Sequence, residues 1–306
     1  MQTQFTNSSM LLLGGDPLRQ AFAPGCRSLT LMIAAALLAF GSFVWARYLE
    51  PKMLTTTHVD IPVKGLASTL AGTRVVLLTD LHGATFGSDQ RILADAVRRQ
   101  QPQAIVFAGD LIDANRGGLA AGLQMLSVMA QIAPTYLVWG NHDYIGGLQE
   151  IQDGIRQQGI AVTELDDAWA ILDLPTGRLI FAGLARSWRN GSTGLPALAA
   201  EARTMAGTGS PLIAVIHSPG PGPVADAEAA GADLVLAGHT HGGQIRLPFI
   251  GALWSPVDGF LSRTAYGLRQ ITNGTLFTSR GLGMSVWPVR FLCPPEIVVL
   301  TLRQAP

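Results

Sequence analysis

Charge and cysteine are both scarce in this chain. Of its 306 residues, 14% are charged and 48% are apolar, whereas an average soluble domain carries roughly 25% charge. A disordered chain needs the opposite balance, few apolar residues and a large net charge, so that class is excluded. Neither sign is in excess: 21 Lys and Arg cancel 21 Asp and Glu. Proteins that grip nucleic-acid phosphates usually carry a basic surplus, so no nucleic-acid partner is expected. Two cysteines, Cys26 and Cys293, are too few for a disulfide framework or a thiolate zinc site. Histidine is rare too, six in all, and where the six fall carries most of the functional information.

One long uncharged run is present. Leu29–Ala46 reads LTLMIAAALLAFGSFVWA, 18 residues without a charge. As a helix it reaches about 27 Å, close to the roughly 30 Å hydrocarbon core of a bilayer. Arg27 precedes it, and Trp45, Arg47, Tyr48 and Lys52 surround its end, the residue types of a membrane interface. A retained transmembrane anchor is expected; a cleaved signal and a buried core helix are the alternatives. The signal is disfavoured by the 28 residues ahead of the run and by the lack of an Ala-x-Ala ending. Basic residues are too evenly split to orient the helix. The expected layout is a tail at 1–28, the helix at 29–46, a linker at 47–56 and one domain at 57–306.

Beyond Pro51 an early strand near Thr57–Pro62 opens a regular alternation. Apolar, β-rich runs occur at Arg74–Thr79, Ala104–Ala108, Thr135–Trp139, Leu179–Gly183, Leu212–Ile216, Leu234–Ala237, Thr275–Thr278 and Ile297–Leu302. Amphipathic stretches at Asp89–Gln101, Leu119–Gln131, Gly147–Gln158, Leu195–Ala206 and Gly222–Ala230 lie between several of them. In the first, Ile92, Leu93, Ala96 and Val97 fall on one helix face. Strands alternating with helices predict an α/β domain with helices covering the sheet.

Five of these strands run directly into polar residues that can bind metal. They lead into Asp80-Leu81-His82, Gly109-Asp110, Gly140-Asn141-His142-Asp143, His217 and Gly238-His239-Thr240-His241. Ligands of open α/β sheets bind at the carboxyl ends of the strands, so these residues share one edge. Oxygen and imidazole without thiolate suit Mn, Fe or Zn. Seven or eight ligands exceed the needs of one ion, which points to two ions sharing a bridging carboxylate. Such a pair can clamp the attacking and leaving oxygens of a phosphoryl displacement and activate a bridging water.

The five ordered blocks resemble the calcineurin-like metallophosphoesterase superfamily. Gly242-Gly243-Gln244-Ile245-Arg246-Leu247-Pro248, Ser279-Arg280-Gly281-Leu282-Gly283 and Pro295-Glu296 are similar to one bacterial, membrane-associated branch. It comprises YaeI- and YkuE-like phosphodiesterases and UDP-2,3-diacylglucosamine pyrophosphatases of the LpxG type. The resemblance implies a four-layer αββα sandwich behind one N-terminal transmembrane helix, in a bacterial inner membrane. It implies that Asp80, His82 and His241 hold one divalent ion, that Asn141, His217 and His239 hold the other, and that Asp110 bridges them. Manganese is favoured over iron and zinc. His142 is implied as the acid for the leaving oxygen and Asp143 as its orienting partner. The implied reaction is hydrolysis of a phosphodiester or pyrophosphate bond, of a lipid-linked or nucleotide-linked substrate, by a metal-bridging hydroxide. A nuclease, a broad-specificity phosphatase and a non-catalytic membrane scaffold are the alternatives; the unbroken ligand set argues against the scaffold.

Other candidates have plainer readings. His58 lies outside every block, Asp113 reads as a loop or cap carboxylate, and Asp166, Asp167 and Asp173 as solvated. Arg246 and Arg280 suit either phosphate or a structural partner. Trp188, Phe249, Trp254, Phe260 and Trp287 sit in long connections, where they either pack a core or dock on lipid headgroups.

Overall fold

The structure, a computed structural model, describes residues 24–187, 194–207 and 209–305. The expected tail through residue 23 lies outside the described residues, as does Trp188. The chain divides at Val44/Trp45 into two units. The first carries helix α1, Pro24–Val44. The helical run Ser28–Lys52 is 25 residues long and apolar enough to cross a membrane.

The expected linker at 47–56 is instead part of the second unit. Trp45–Leu49 and Glu50–Lys52 continue as short helical turns. Glu50 is buried; its carboxylate accepts Trp45 Nε1 at 2.6 Å, Leu292 N at 2.9 Å and Cys293 N. Those bonds tie the start of the unit to residues near its end.

The strands that follow are β1 Thr55–Val63, β2 Arg74–Leu78, β3 Ala104–Ala108, β4 Thr135–Val138 and β5 Val162–Glu164. Then come β6 Ala168–Leu174, β7 Gly177–Gly183, β8 Leu212–Val215 and β9 Leu234–Ala237. The last six are β10 Arg246–Leu247, β11 Gly251–Ser255, β12 Gly259–Ser262, β13 Gly267–Gln270, β14 Thr275–Thr278 and β15 Glu296–Gln304. The remaining helices are α2 Arg91–Arg98, α3 Leu119–Ala130, α4 Asn141–Gly146, α5 Leu148–Gln158, α6 Leu195–Ala206 and α7 Pro221–Ala229.

Two six-stranded sheets stack face to face, ordered β1-β15-β2-β3-β4-β5 and β13-β14-β9-β8-β7-β6. One core lies between them, where Val75 and Leu77 of the first meet Phe181 and Ile213 of the second. The outward residues of β2 and β3 (Val76, Leu78, Ile105, Phe107) pack on Leu93, Leu126 and Ile151 of the helices outside the first sheet. Ile180, Ala214 and Val235 pack on Ala199, Ala202 and Ala227 outside the second. Apolar residues on both faces are what strands covered on both sides require, and the result is the four-layer αββα sandwich. Strands β2 to β5 run parallel, as do β7, β8, β9 and β14. The sequence offered no clear signal for the third, antiparallel sheet, β10-β11-β12.

Candidate metal centre

Each functional side chain follows a parallel strand. Strand β2 leads to Asp80 and His82, β3 to Asp110 and β4 to α4 with Asn141, His142 and Asp143. In the other sheet β8 leads to His217, and β9 to His239 and His241. His58 is exposed on β1, away from them.

The candidate ligand atoms form three overlapping groups, Asp80–His82–His241, His82–Asp110–His142 and Asp110–His217–His239, the last two sharing the Asp110 carboxylate. Asp110 Oδ2 lies 3.4 Å from His82 Nε2 and 3.3 Å from His217 Nε2. On one side His82 Nε2 faces His241 Nε2 at 3.1 Å, and Asp80 Oδ1 is 3.8 Å from His241 Nε2. On the other, His217 Nε2 is 3.1 Å from both Asn141 Oδ1 and His239 Nδ1. Second partners aim some of these groups: His217 Nδ1 donates to Ala108 O at 2.8 Å, which leaves Nε2 free to face the other donor atoms. The other oxygen of Asp110 accepts His142 N at 2.8 Å, and Asp80 accepts His239 N at 3.0 Å.

Two divalent cations fit this donor set. Imidazole nitrogens face each other in pairs, the buried Nδ1 of His241 has no hydrogen-bond partner, and that of His82 faces only Asp113 Oδ1, at 3.6 Å. Donor atoms from separate loops converge within hydrogen-bond distance, and cations can take the place of the protons they share once the imidazoles are neutral. Burial opposes charge on His82 and His217, yet the carboxylates of Asp110 and Asp80 prevail and push their pKa values up to about 10 and about 9. His239 is pushed down to about 3 by burial and by the charge on His217. Burial lifts Asp80 to about 6.

The backbone is bent to bring these groups in. Asp80, His82, Asp110, His239 and His241 all have positive φ, between 45° and 69°. Asp and His tolerate this region better than most residues, and strain of this kind collects at functional sites. A Cβ on Gly140 would lie 2.0 Å from Asp110 Oδ1, and one on Gly238 would lie 2.6 Å from Asp80 Oδ2. Close approach therefore requires glycine ahead of Asn141 and of His239.

Asp143 does not touch His142 as expected. Residues i and i+1 of a helix point in different directions. At the third position of α4 the Asp143 carboxylate turns back onto backbone. Oδ2 accepts Gly140 N and Asp110 N, each at 2.9 Å, and Oδ1 accepts Leu111 N at 2.7 Å and Ile112 N at 3.0 Å. Burial and the charge of Asp110 push this carboxyl up to about 7, while the four N–H donors favour its ionised form. The place beside His142 belongs to Asp113, whose Oδ1 lies 3.0 Å from Nδ1 and accepts Ala114 N at 3.0 Å. The neighbouring His82 and His142 rings hold Asp113 down, to about 2.

Arg280 and Arg246 have structural partners. Arg280 pairs with buried Glu296 at 2.7 Å, and Arg246 donates to Gly242 O at 2.9 Å. Asp166, read as solvated, instead accepts the Tyr144 hydroxyl and Trp139 N. Arg290 gave no signal in the sequence; its buried guanidinium donates to the carbonyls of Arg280, Gly281, Gly283 and Cys293.

A paired oxygen–imidazole centre at the strand ends of an αββα sandwich defines the protein as a metal-dependent phosphoric ester hydrolase. The chain belongs to the calcineurin-like phosphoesterase family, whose profile matches residues 73–243. It is 28% identical to the uncharacterized metallophosphoesterase YkuE of Bacillus subtilis, covering 89% of this chain and 93% of that one. It is also 28% identical to phosphodiesterase YaeI of Escherichia coli, over 88% and 96% of the two chains. A zebrafish (Danio rerio) transmembrane protein with metallophosphoesterase domain is 30% identical over 90% of this chain, which spans 62% of that protein.

Proposed function

We propose that the chain is a membrane-anchored, dinuclear-metal phosphoesterase acting on a phosphodiester or pyrophosphate bond of a lipid-linked or nucleotide-linked substrate. The observation that carries this reading is the position of Asp110 Oδ2 between His82 and His217, within 3.4 Å of both. Asp80, His82 and His241 would hold one divalent cation, Asn141, His217 and His239 the second, and Asp110 both; manganese is the favoured ion. When bound, such a pair neutralises charge developing on phosphorus and supplies an activated water.

The chain's own residues do the rest. His142 lines the cavity over the centre. Nδ1 of His142 is engaged by Asp113 Oδ1 at 3.0 Å and by the Ala114 N–H at 3.1 Å, which leaves Nε2, 3.4 Å from Ser285 Oγ, as the atom that would serve the leaving oxygen. Asp143 holds the Asp110 and Asn141 loops in register. The apolar run Ser28–Lys52 supports placement in a bacterial inner membrane. The names of the relatives, a phosphodiesterase and a transmembrane protein, are in keeping with a diester substrate and an anchored enzyme.

The test is hydrolysis of bis(p-nitrophenyl) phosphate and p-nitrophenyl phosphate by metal-stripped protein with Mn²⁺ restored, beside Asp110→Ala. Mn²⁺-dependent diester cleavage that Asp110→Ala abolishes is expected. A protein that binds no divalent metal would overturn the reading.

A further inference from the structure

The cavity over the centre, about 660 Å³, is lined by two kinds of residue. Asp110, Asn141, His142, His239 and His241 belong to the ligand loops. Leu253, Trp254, Pro256 and Phe260 come from the third sheet and the turn within it, and Val286 and Trp287 from the segment before β15. Trp254 and Phe260 are direct partners across β11 and β12, so they share one face.

This apolar wall continues onto the surface. Phe249 is 99% exposed, Val286 84%, Phe260 83% and Trp287 65%, and Leu261 and Leu292 are exposed with them. Core packing, one of the two readings of these aromatics, therefore does not hold for Phe249, Trp254, Phe260 or Trp287. Exposed apolar surface beside a cavity marks an interaction site. Phe249, Leu261, Val286 and Leu292 moreover have positive φ, between 52° and 66°, an uncommon state for bulky side chains and for β-branched valine above all. The backbone is strained while these residues face outward.

Charge and connectivity identify what covers the patch. Between residues 244 and 292 Asp258 is the one acid; Arg246, Arg280 and Arg290 are held by structural partners, which leaves Arg263 and Arg269 as the exposed cations. Arg263, directly after β12, is exposed. Exposed aromatics with neighbouring arginine suit an interface of anionic headgroups over acyl chains. The segment bearing Val286, Trp287 and Leu292 is bonded to the residues that follow the apolar helix. Arg290 N donates to Ala46 O at 2.8 Å, and Leu292 N to Glu50 at 2.9 Å.

We propose that β10–β12 and the 285–292 segment form a membrane-docking surface. It seats in the headgroup region of the bilayer that holds the chain, so that a phosphoester amphiphile enters the cavity from the lipid side. This deepens the reading above, on which the substrate half of the proposal rests.

The test uses the full chain in vesicles of phosphatidylethanolamine and phosphatidylglycerol, with Cys26→Ser to remove background labelling. Phe249→Cys carries an environment-sensitive fluorophore, and Arg99→Cys, exposed directly after α2, which covers the outer face of the first sheet, is the comparison. Nitroxide lipids should quench the Phe249 label severalfold more than the Arg99 label. Equal quenching overturns the proposal. So does a Phe249 label shielded from water yet untouched by the nitroxides, because a protein then covers the patch. This readout needs no turnover, so failure of the metal chemistry and failure of docking are distinguishable. In a second measurement, Phe249→Ser with Leu261→Ser should leave hydrolysis of soluble bis(p-nitrophenyl) phosphate unchanged. Hydrolysis of a phosphodiester lipid in the vesicle should fall about tenfold, as expected when two buried apolar anchors are lost. Equal loss on both substrates overturns the docking role.

Discussion

The carboxylate of Asp143 accepts the backbone N–H of Asp110 at 2.9 Å, and with the same oxygen it accepts Gly140 N at 2.9 Å. One buried side chain thus joins the loop carrying Asp110 to the loop carrying Asn141. Asn at this position keeps the shape but turns half of the acceptor into a donor, leaving two N–H groups unmatched. Each such group costs about 1–3 kcal/mol. Asp143→Asn should therefore lower the thermal midpoint and the metal content per chain together. A variant with full metal content, native stability and only slower turnover would return Asp143 to a direct role at His142.

Asp113 Oδ1 contacts His142 Nδ1 at 3.0 Å and lies 3.6 Å from His82 Nδ1. Asp113→Asn should lose about 10- to 100-fold in kcat, the usual size of such an orienting effect, with weaker metal binding on the His82 side alone. A loss much larger for an alkyl leaving group than for p-nitrophenolate would identify proton delivery as the affected step. Equal losses for both esters would separate Asp113 and His142 from the leaving group.

These two aspartates also mark where the sequence was legible. That the candidate metal-ligand blocks meet could be read because parallel strands place whatever follows them at one edge, and because five of six histidines fall there. Asp143 was misplaced because adjacency in sequence is not adjacency on a helix; its spacing from Gly140, an N-terminal cap position, was the usable signal. Asp113 gave none, since its partnership with His142 depends on how the loops after β3 and β4 meet. The third sheet was obscured by strands of two to five residues, too short for alternation to register.

Metal loading should be coupled to protons. His82 and His217, with pKa values of about 10 and about 9, are charged at pH 7.5 without a cation, and an imidazole binds metal only when neutral. Each cluster must then lose a proton on loading. Affinity should rise with pH by about tenfold per unit for each cluster, and level off above about pH 9 at the His217 cluster and about pH 10 at the His82 cluster. Calorimetry of Mn²⁺ binding at pH 7.5, in buffers of different ionisation enthalpy, should give about two protons released per chain. Heats independent of buffer would mean that both histidines are already neutral.

The bonds of Glu50 set where the catalytic unit begins. Its carboxylate accepts the Trp45 indole and the backbone of Leu292 and Cys293, and Arg290, between them in the fold, braces the carbonyls of Gly281 and Gly283. Those glycines lie against Asp80: Leu282 N donates to Thr79 O at 3.0 Å, and Cβ atoms added to Gly281 would stand 2.7 Å from that of Asp80. A fragment starting at Trp45 should therefore bind metal as the full chain does, whereas one starting at Leu54 loses the anchor of this chain of contacts. Glu50→Gln isolates the same effect within the full chain, leaving a charge-assisted set of N–H bonds with a weaker acceptor at a cost of about 1–3 kcal/mol. For a unit of this size that shifts the midpoint by a few degrees, about 2–4 °C per kcal/mol. If the fragment from Leu54 matched that from Trp45 in midpoint and metal content, residues 45–53 would be a tether and nothing more.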